Sequence, residues 1–338
     1  MKISVEPITL HLKTPFRIAH GTSTARHNVL VYAGEGVGEG ALPPYYAHTQ
    51  ADVVAYLDSL DLDALLGEDA LAPEHALDRL PPGPTPARCA LDIALHDHWA
   101  KQLGQPLYRL WGLNPAHAPL STFTLSIPQD LEDLQAQVQA AQGFPLLKLK
   151  LGTGSLDSDE AIVRLVRQET DARLCVDANC AWSVEAAAHI IPRLAAYDLL
   201  FIEQPIPAMD VTDWHRLRGL LAGDLPPLVA DESVQQASDI LALAGGADGI
   251  NIKLTKAGGL REARRMITLA RTLGMGVMLG CMVESSVGIT AAAHLAPLVD
   301  WADLDGNLNL LNDPYVGTRM VAGKLPLPPG PGLGVRRR

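Results

Sequence analysis

The stretch Pro145-Leu146-Leu147-Lys148-Leu149-Lys150-Leu151-Gly152 decides how the rest of the chain is read. It is a short apolar run bounded by proline and glycine, with two lysines set into it. Successive side chains of a strand alternate faces, so Lys148 and Lys150 share one face while Leu147, Leu149 and Leu151 share the other. Two ammonium groups on one face of a hydrophobic strand repel each other and lose solvation. Both effects disfavour the charged form and move a lysine toward the range useful for a base. The alternative for this stretch alone is an edge strand guarded by its lysines. What the neighbouring strands carry decides between the two.

From residue 119 onward the chain alternates candidate strands with amphipathic helical segments. The strands are Ser121–Ile127, Leu146–Leu151, Leu174–Ala178, Leu200–Glu203, Leu228–Asp231, Gly249–Leu254, Gly276–Gly280 and Trp301–Asp305. Their spacing of roughly 20–30 residues predicts a parallel closed barrel, with a doubly wound open sheet as the alternative. Seven strands have helical sequence after them. The eighth runs out into the Pro/Gly-rich Leu325–Gly334, which cannot be a full helix, so an incomplete barrel is expected.

Charged residues fall at the C-terminal ends of these strands. Lys148 and Lys150 end the second, Asp177 the third, Glu203 the fourth, Asp231 the fifth and Lys253 the sixth. Glu284 follows the seventh, and Asp303-Leu304-Asp305 closes the eighth. Barrel enzymes build their sites on that rim, so these side chains converge on one mouth. Asp177, Glu203 and Asp231 come from adjacent strands and offer carboxylate oxygens only, which suits a hard dication, Mg²⁺ first and Mn²⁺ as substitute. With Lys148 and Lys150 on one side and Lys253 on the other, the set suits removal and return of a proton beside a substrate carboxylate. Lys150 and Lys253 exchange the proton, and Lys148 with the metal stabilises the enolate.

The first 45 or so residues alternate like antiparallel strands and hold the glycine cluster Gly34-Glu-Gly-Val-Gly-Glu-Gly40. The cluster lacks the Lys-Ser/Thr of a phosphate loop and reads as hairpin turns. Between the first strands lies the polar connection His20–His27, which contains Arg26 and is suited to cover a site. Residues 50 to 112 read as helical. The clearest helix starts at Thr85-Pro86, a capping residue followed by proline, and presents a small apolar face of Ala87, Ala90, Leu91, Ala94, Leu95 and Trp99.

Composition narrows the class further. The 338 residues are 48% apolar and 19% charged, and 27 basic against 38 acidic side chains give a formal charge of −11. That balance argues against a nucleic-acid surface. Cys89, Cys175, Cys180 and Cys281 show neither a CxxC pair nor zinc spacing and read as free thiols of a reducing compartment. The N-terminus does not read as a signal peptide and no run suits a bilayer span, so a cytoplasmic protein without membrane partners is expected.

Taken together, the Ala87–Leu95 helix, Lys148-Leu-Lys150, Asp177-Ala-Asn179, Glu203-Gln-Pro205, Asp231-Glu-Ser233 and Asn251-Ile-Lys253 with Ala257-Gly-Gly resemble the enolase superfamily, in its muconate-lactonising subgroup. The resemblance implies an α+β capping domain over residues 1–117, a (β/α)7β barrel over 118–310, and a segment 311–338 returning toward the cap. It also implies self-association, an enolate intermediate and Mg²⁺, since enolase-superfamily sites are known to pair a lysine or histidine base with that ion.

Within the subgroup, Asp303-Leu-Asp305 resembles the paired acids with which dipeptide epimerases bind a substrate's free α-ammonium. The resemblance therefore implies inversion of the C-terminal α-carbon of an L,L-dipeptide. The alternatives are an N-acylamino acid racemase or o-succinylbenzoate synthase of the same subgroup, and a non-catalytic binding paralogue. Pro15-Phe16 resembles the Ala-Glu epimerases, but a gapless reading places Gly21 where those carry a loop arginine, with Arg26 the nearest alternative. Arg26, Thr124 and Glu284 complete the expected substrate contacts.

Overall fold

The computed structural model describes residues 3–61, 65 and 73–338. The chain opens with an antiparallel sheet of β1 (Ile3–Ile18), β2 (Gly21–Ala33) and β3 (Gly36–Gly40). The glycine cluster is thus largely a strand, where turns were expected, and the reason is the helix Thr85–Gln102 lying on it. A Cβ added at Gly36, Gly38 or Gly40 would come within 2.0, 2.0 and 2.3 Å of the carbonyl oxygens of Ala94, Ala90 and Pro86. Glycine at every second position removes one whole face of side chains, and the alanine face of the helix settles directly on the strand. The helix begins at Thr85 itself, so Thr85 does not cap it.

Eight parallel strands follow: β4 (Phe123–Leu125), β5 (Leu146–Lys150), β6 (Arg173–Asp177), β7 (Leu199–Glu203), β8 (Leu228–Ala230), β9 (Gly249–Lys253), β10 (Gly276–Gly280) and β11 (Trp301–Asp303). They pair in sequence order, and a parallel bridge between Ser121 and Ala302 brings the first strand beside the last. Helices follow the first seven. After β11 the chain instead forms the short ribbon of β12 (Tyr315–Val316) and β13 (Arg336–Arg337). This is the (β/α)7β barrel expected, with β4 shorter than its apolar run. Among the described residues no helix is long and apolar enough to cross a membrane.

Alternation along the strands fills the barrel in layers. Leu147, Leu149, Leu174, Val176, Ile202, Ile250, Ile252 and Leu279 point outward into the core shared with the helices. Burying each stabilises the fold by about 1.5–3 kcal/mol. Cys175, Phe201, Val229 and Met278 form a separate cluster inside the ring. Two residues further along their strands stand Asp177, Glu203, Asp231 and Gly280, at the C-terminal rim.

Buried carboxylates on the N-terminal module join it to the barrel. Asp92 accepts the backbone N–H groups of Leu260 (2.9 Å) and Arg261 (3.2 Å), at the start of the helix Leu260–Thr272. Glu39 accepts those of Ser285 (2.9 Å) and Gly288 (3.1 Å), at the start of Ser286–Ala293. Carboxylates at helix N-termini meet unpaired donors and the positive end of the dipole. The C-terminal segment returns to the same module: the Leu333 N–H donates to Asp97 (2.7 Å), and Arg337 pairs with Glu6 (3.1 Å).

Candidate active site

The register places the rim residues in rows. Lys150 lies opposite Asp177, and Asp177 opposite Glu203; Lys253 lies opposite Gly280, and Gly280 opposite Asp303. Lys150 Nζ donates to Asp177 Oδ2 at 2.6 Å, and Lys253 Nζ to Asp231 Oδ2 at 2.7 Å. Lys148 sits one layer lower, fully buried. Its Nζ donates to Asp303 Oδ2 at 2.8 Å and lies 2.6 Å from Glu203 Oε2 and 3.2 Å from Asp177 Oδ2.

Carboxylate oxygens of Asp177, Glu203 and Asp231 lie within 4.8 Å of one another, all buried. Their charges are held unequally. Burial alone would raise Asp177, but Lys150 and Lys148 bring it down to about 2. Asp231 is held well below the usual range by Lys253 and Lys256, again against burial. Glu203 is pushed up to about 8 by burial and by the Asp177 charge. Its Oε2 receives no hydrogen bond, only the nearby charge of Lys148. Three buried carboxylates converge here with Glu203 Oε2 left without a hydrogen bond, and their all-oxygen donor set fits a hard dication such as Mg²⁺.

The expected mutual lowering of the lysine pair is overturned for Lys148. Burial disfavours its ammonium form, but Asp303, Glu203 and Asp177 outweigh burial and hold it well above the ordinary value. Lys253 is likewise held high, by Asp231 first among its neighbours. Repulsion between lysines is a weaker influence here than the carboxylates of the next strands.

Lys148, Lys150, Lys253, Asp303 and Asp305 open onto one cavity of about 600 Å³, a size that accepts a small ligand. Arg26 and Thr124 also line it. Asp303 accepts from the Thr122 hydroxyl as well as from Lys148, whereas Asp305 accepts the Thr124 N–H at 2.7 Å. Asp305 is raised to about 6 by burial and by the Asp303 charge. Glu284 does not reach the cavity wall. Its carboxylate folds back to accept the Met282 N–H at 3.0 Å, and burial with the Glu39 charge raises it to about 8. The chain turns away after β10 to start the next helix, and Glu284 goes with it.

Sequence reasoning assigned no role to several residues that hold this site. Lys256 is buried, and its Nζ donates to both the carboxylate and the carbonyl oxygen of Asp231. Asn251 donates to Glu203 Oε1 at 2.8 Å, and Gln204 accepts the Asp231 N–H at 2.8 Å. Asn251 stands two residues before Lys253 on one face of β9, a spacing that was available to find it. The positive φ values of Cys180 (67°) and Gln204 (35°) carry no sequence signal, whereas asparagine, as at Asn179 (43°), favours that region; left-handed non-glycine residues gather at functional sites.

Comparison with known proteins gives a consistent picture. Residues 2–112 match the N-terminal domain of the mandelate racemase/muconate lactonizing enzyme family, and residues 130–338 match the enolase C-terminal domain-like family. An L-Ala-D/L-Glu epimerase of Bacteroides thetaiotaomicron is 41% identical, covering 100% of this chain and 88% of its own. The structure of a substrate-liganded L-Ala-D/L-Glu epimerase from Bacillus subtilis superposes with a TM-score of 0.89 at 28% identity, covering 99% of this chain and 98% of its own. A dipeptide epimerase from Enterococcus faecalis, complexed with Mg and L-Leu-L-Tyr, gives 0.88 at 31% identity, with the same coverage.

Proposed function

The chain belongs to the mandelate racemase/muconate lactonizing enzyme family of the enolase superfamily, and from that premise we propose that it is a Mg²⁺-dependent dipeptide epimerase. It inverts the α-carbon of the C-terminal residue of an L,L-dipeptide by a 1,1-proton transfer. Asp177, Glu203 and Asp231 would hold the Mg²⁺ ion. When bound, the ion supplies Lewis acidity toward the substrate carboxylate and favours negative charge on it.

Lys150 on β5 and Lys253 on β9 stand four strands apart in a ring of eight, on opposite walls of the mouth. One lysine, as the neutral amine, takes the α-proton as the C–H bond breaks. The other, as ammonium, delivers a proton to the opposite face. The two exchange protonation states in each turnover, and solvent restores them. Lys148 stays charged and stabilises the enolate electrostatically.

The observation that carries the dipeptide reading is Asp305. It lines the cavity half-buried, one of its oxygens accepts the Thr124 N–H, and, unlike Asp303 with Lys148, it has no ion-pair partner among the described residues. A free substrate α-ammonium supplies that partner; an N-acyl group does not. Arg26, a buried cation on the same cavity, suits an anionic substrate side chain.

The test is a mass-spectrometric screen of L,L-dipeptides in D₂O, with Mg²⁺ and with a chelator. Metal-dependent gain of one deuterium on particular dipeptides is expected. Exchange on N-succinyl or N-acetyl amino acids, with none on dipeptides, would refute the reading.

A further inference from the structure

Beside the three-carboxylate cluster lies a second group of metal-ligating side chains that the reaction above does not use. His20 comes from the turn between β1 and β2, Cys180 from the loop after β6, and Glu232 from the loop after β8. One donor atom from each, imidazole nitrogen, Sγ and carboxylate oxygen, lies within 4.8 Å of the others. His20 Nε2 is 3.8 Å from Glu232 Oε1, close to the edge of roughly 3.3–3.7 Å that zinc bond lengths give a tetrahedron.

Glu232 is not saturated within the protein. Its Oε1 accepts the Asn179 side-chain amide at 3.3 Å, while Oε2 is buried with no hydrogen-bond partner. The Cys180 N–H is fixed to the Gln204 carbonyl at 2.9 Å, which sets its loop on the barrel frame. A separate cavity of about 400 Å³ is lined by two of the three donors, His20 and Cys180, together with Asn179 and Trp182.

We propose that His20, Cys180 and Glu232 form a second metal site, selective for Zn²⁺ or a similar borderline dication, whose occupancy ties the β1–β2 turn to the barrel rim and inhibits turnover. Donor chemistry separates the two centres. Nitrogen, sulfur and oxygen donors favour zinc over magnesium, whereas three carboxylates accept the hard ion. On binding, the Cys180 thiol gives its proton to solvent and coordinates as thiolate, and a solvent molecule fills the fourth position. The His20 ring lies 5.1 Å from the Tyr45 ring, and Tyr45 lines the substrate cavity, so fixing His20 also fixes one wall of the mouth.

The experiment uses the full chain with Mg²⁺ saturating. Co²⁺, the optical stand-in for Zn²⁺, is titrated in and the thiolate-to-metal charge-transfer band is followed in the near ultraviolet. The wild type is expected to gain the band with one equivalent of Co²⁺ and to lose it to Zn²⁺. Carboxylates alone give no such band, so the readout depends neither on the Mg²⁺ site nor on epimerase activity. Cys180→Ser is expected to abolish the band, and His20→Gln, on an exposed turn where it cannot unfold the barrel, to weaken binding by at least about tenfold. Zn²⁺ inhibition of the Mg²⁺-loaded enzyme shifts to correspondingly higher zinc in both variants. Absence of the band in the wild type would overturn the proposal. So would a band that survives Cys180→Ser but disappears in Cys281→Ser, or equal zinc inhibition of wild type and variants.

Discussion

His294 makes a quantitative prediction about pH and stability. The ring is fully buried; its Nδ1 accepts the Tyr108 N–H at 3.1 Å, and its Nε2 faces the Leu333 carbonyl at 3.3 Å. That pairing fixes the neutral tautomer with the proton on Nε2, because protonating Nδ1 would set two N–H groups against each other. Burial accordingly lowers the group from 6.5 to about 4. A histidine whose folded value is depressed stabilises the fold above its unfolded value, and that contribution is lost as pH falls toward the folded value. The full loss across about 2.5 units at 1.36 kcal/mol per unit is about 3 kcal/mol, of which about 2 kcal/mol disappears between pH 7 and pH 5.

Glu203, Glu284 and Asp305, all raised, contribute with the opposite sign as pH rises, so the wild-type profile alone does not isolate His294. The comparison is with His294→Gln, whose amide can meet Tyr108 and Leu333 without titrating. Urea unfolding of both proteins at pH 7 and pH 5 should show the wild type losing about 2 kcal/mol more than the variant. In parallel, the Tyr108 amide should exchange faster with deuterium as pH falls in the wild type, relative to the variant. An equal pH response of the two proteins would refute the argument, as would an imidazole that titrates near 6.5 in the folded state.

Gly38→Ala should cost about 1–3 kcal/mol, because its Cβ meets the Ala90 carbonyl and the helix must lift. Gly219→Ala, in open space within the helix Thr212–Leu220, should instead gain about 0.5–1 kcal/mol; paired thermal melts compare them. Lys256→Met leaves Asp231 partly uncompensated and should destabilise the metal-free protein by about 3–5 kcal/mol. Because a dication restores the missing charge, Mg²⁺ should raise the melting temperature of this variant more than that of the wild type. Asp305→Asn should lower kcat/KM for dipeptides relative to N-acetyl amino acids by about 10- to 100-fold, the worth of a hydrogen bond to a charged group.

The barrel was legible because its signal is repeated. Each strand is a short apolar run, and Lys150, Asp177, Glu203, Asp231 and Lys253 recur at the same strand end, so the errors of single runs cancel. The N-terminal module was less so. Gly36, Gly38 and Gly40 look like turns because glycine weakens strands; only the helix packed across them explains the choice. Charge states were harder still. Lys148 and Lys150 are close in sequence and suggested repulsion, while the carboxylates that fix Lys148 come from residues 177, 203 and 303. Glu284 was placed on the rim by counting from β10, and no local pattern reveals that the chain has already turned away and folded its carboxylate back onto the Met282 N–H.

The central claim, two lysines acting on opposite faces of one carbon, is tested most directly by isotope exchange in the Lys150→Ala and Lys253→Ala variants. Each would be incubated with Mg²⁺ in D₂O with the L,L- and then the L,D-form of a dipeptide the wild type epimerises, and deuterium and configuration would be read separately. Neither variant should interconvert the two forms, and where exchange survives it should be confined to one epimer, the opposite one in the two variants. Full epimerisation by either variant would contradict the account.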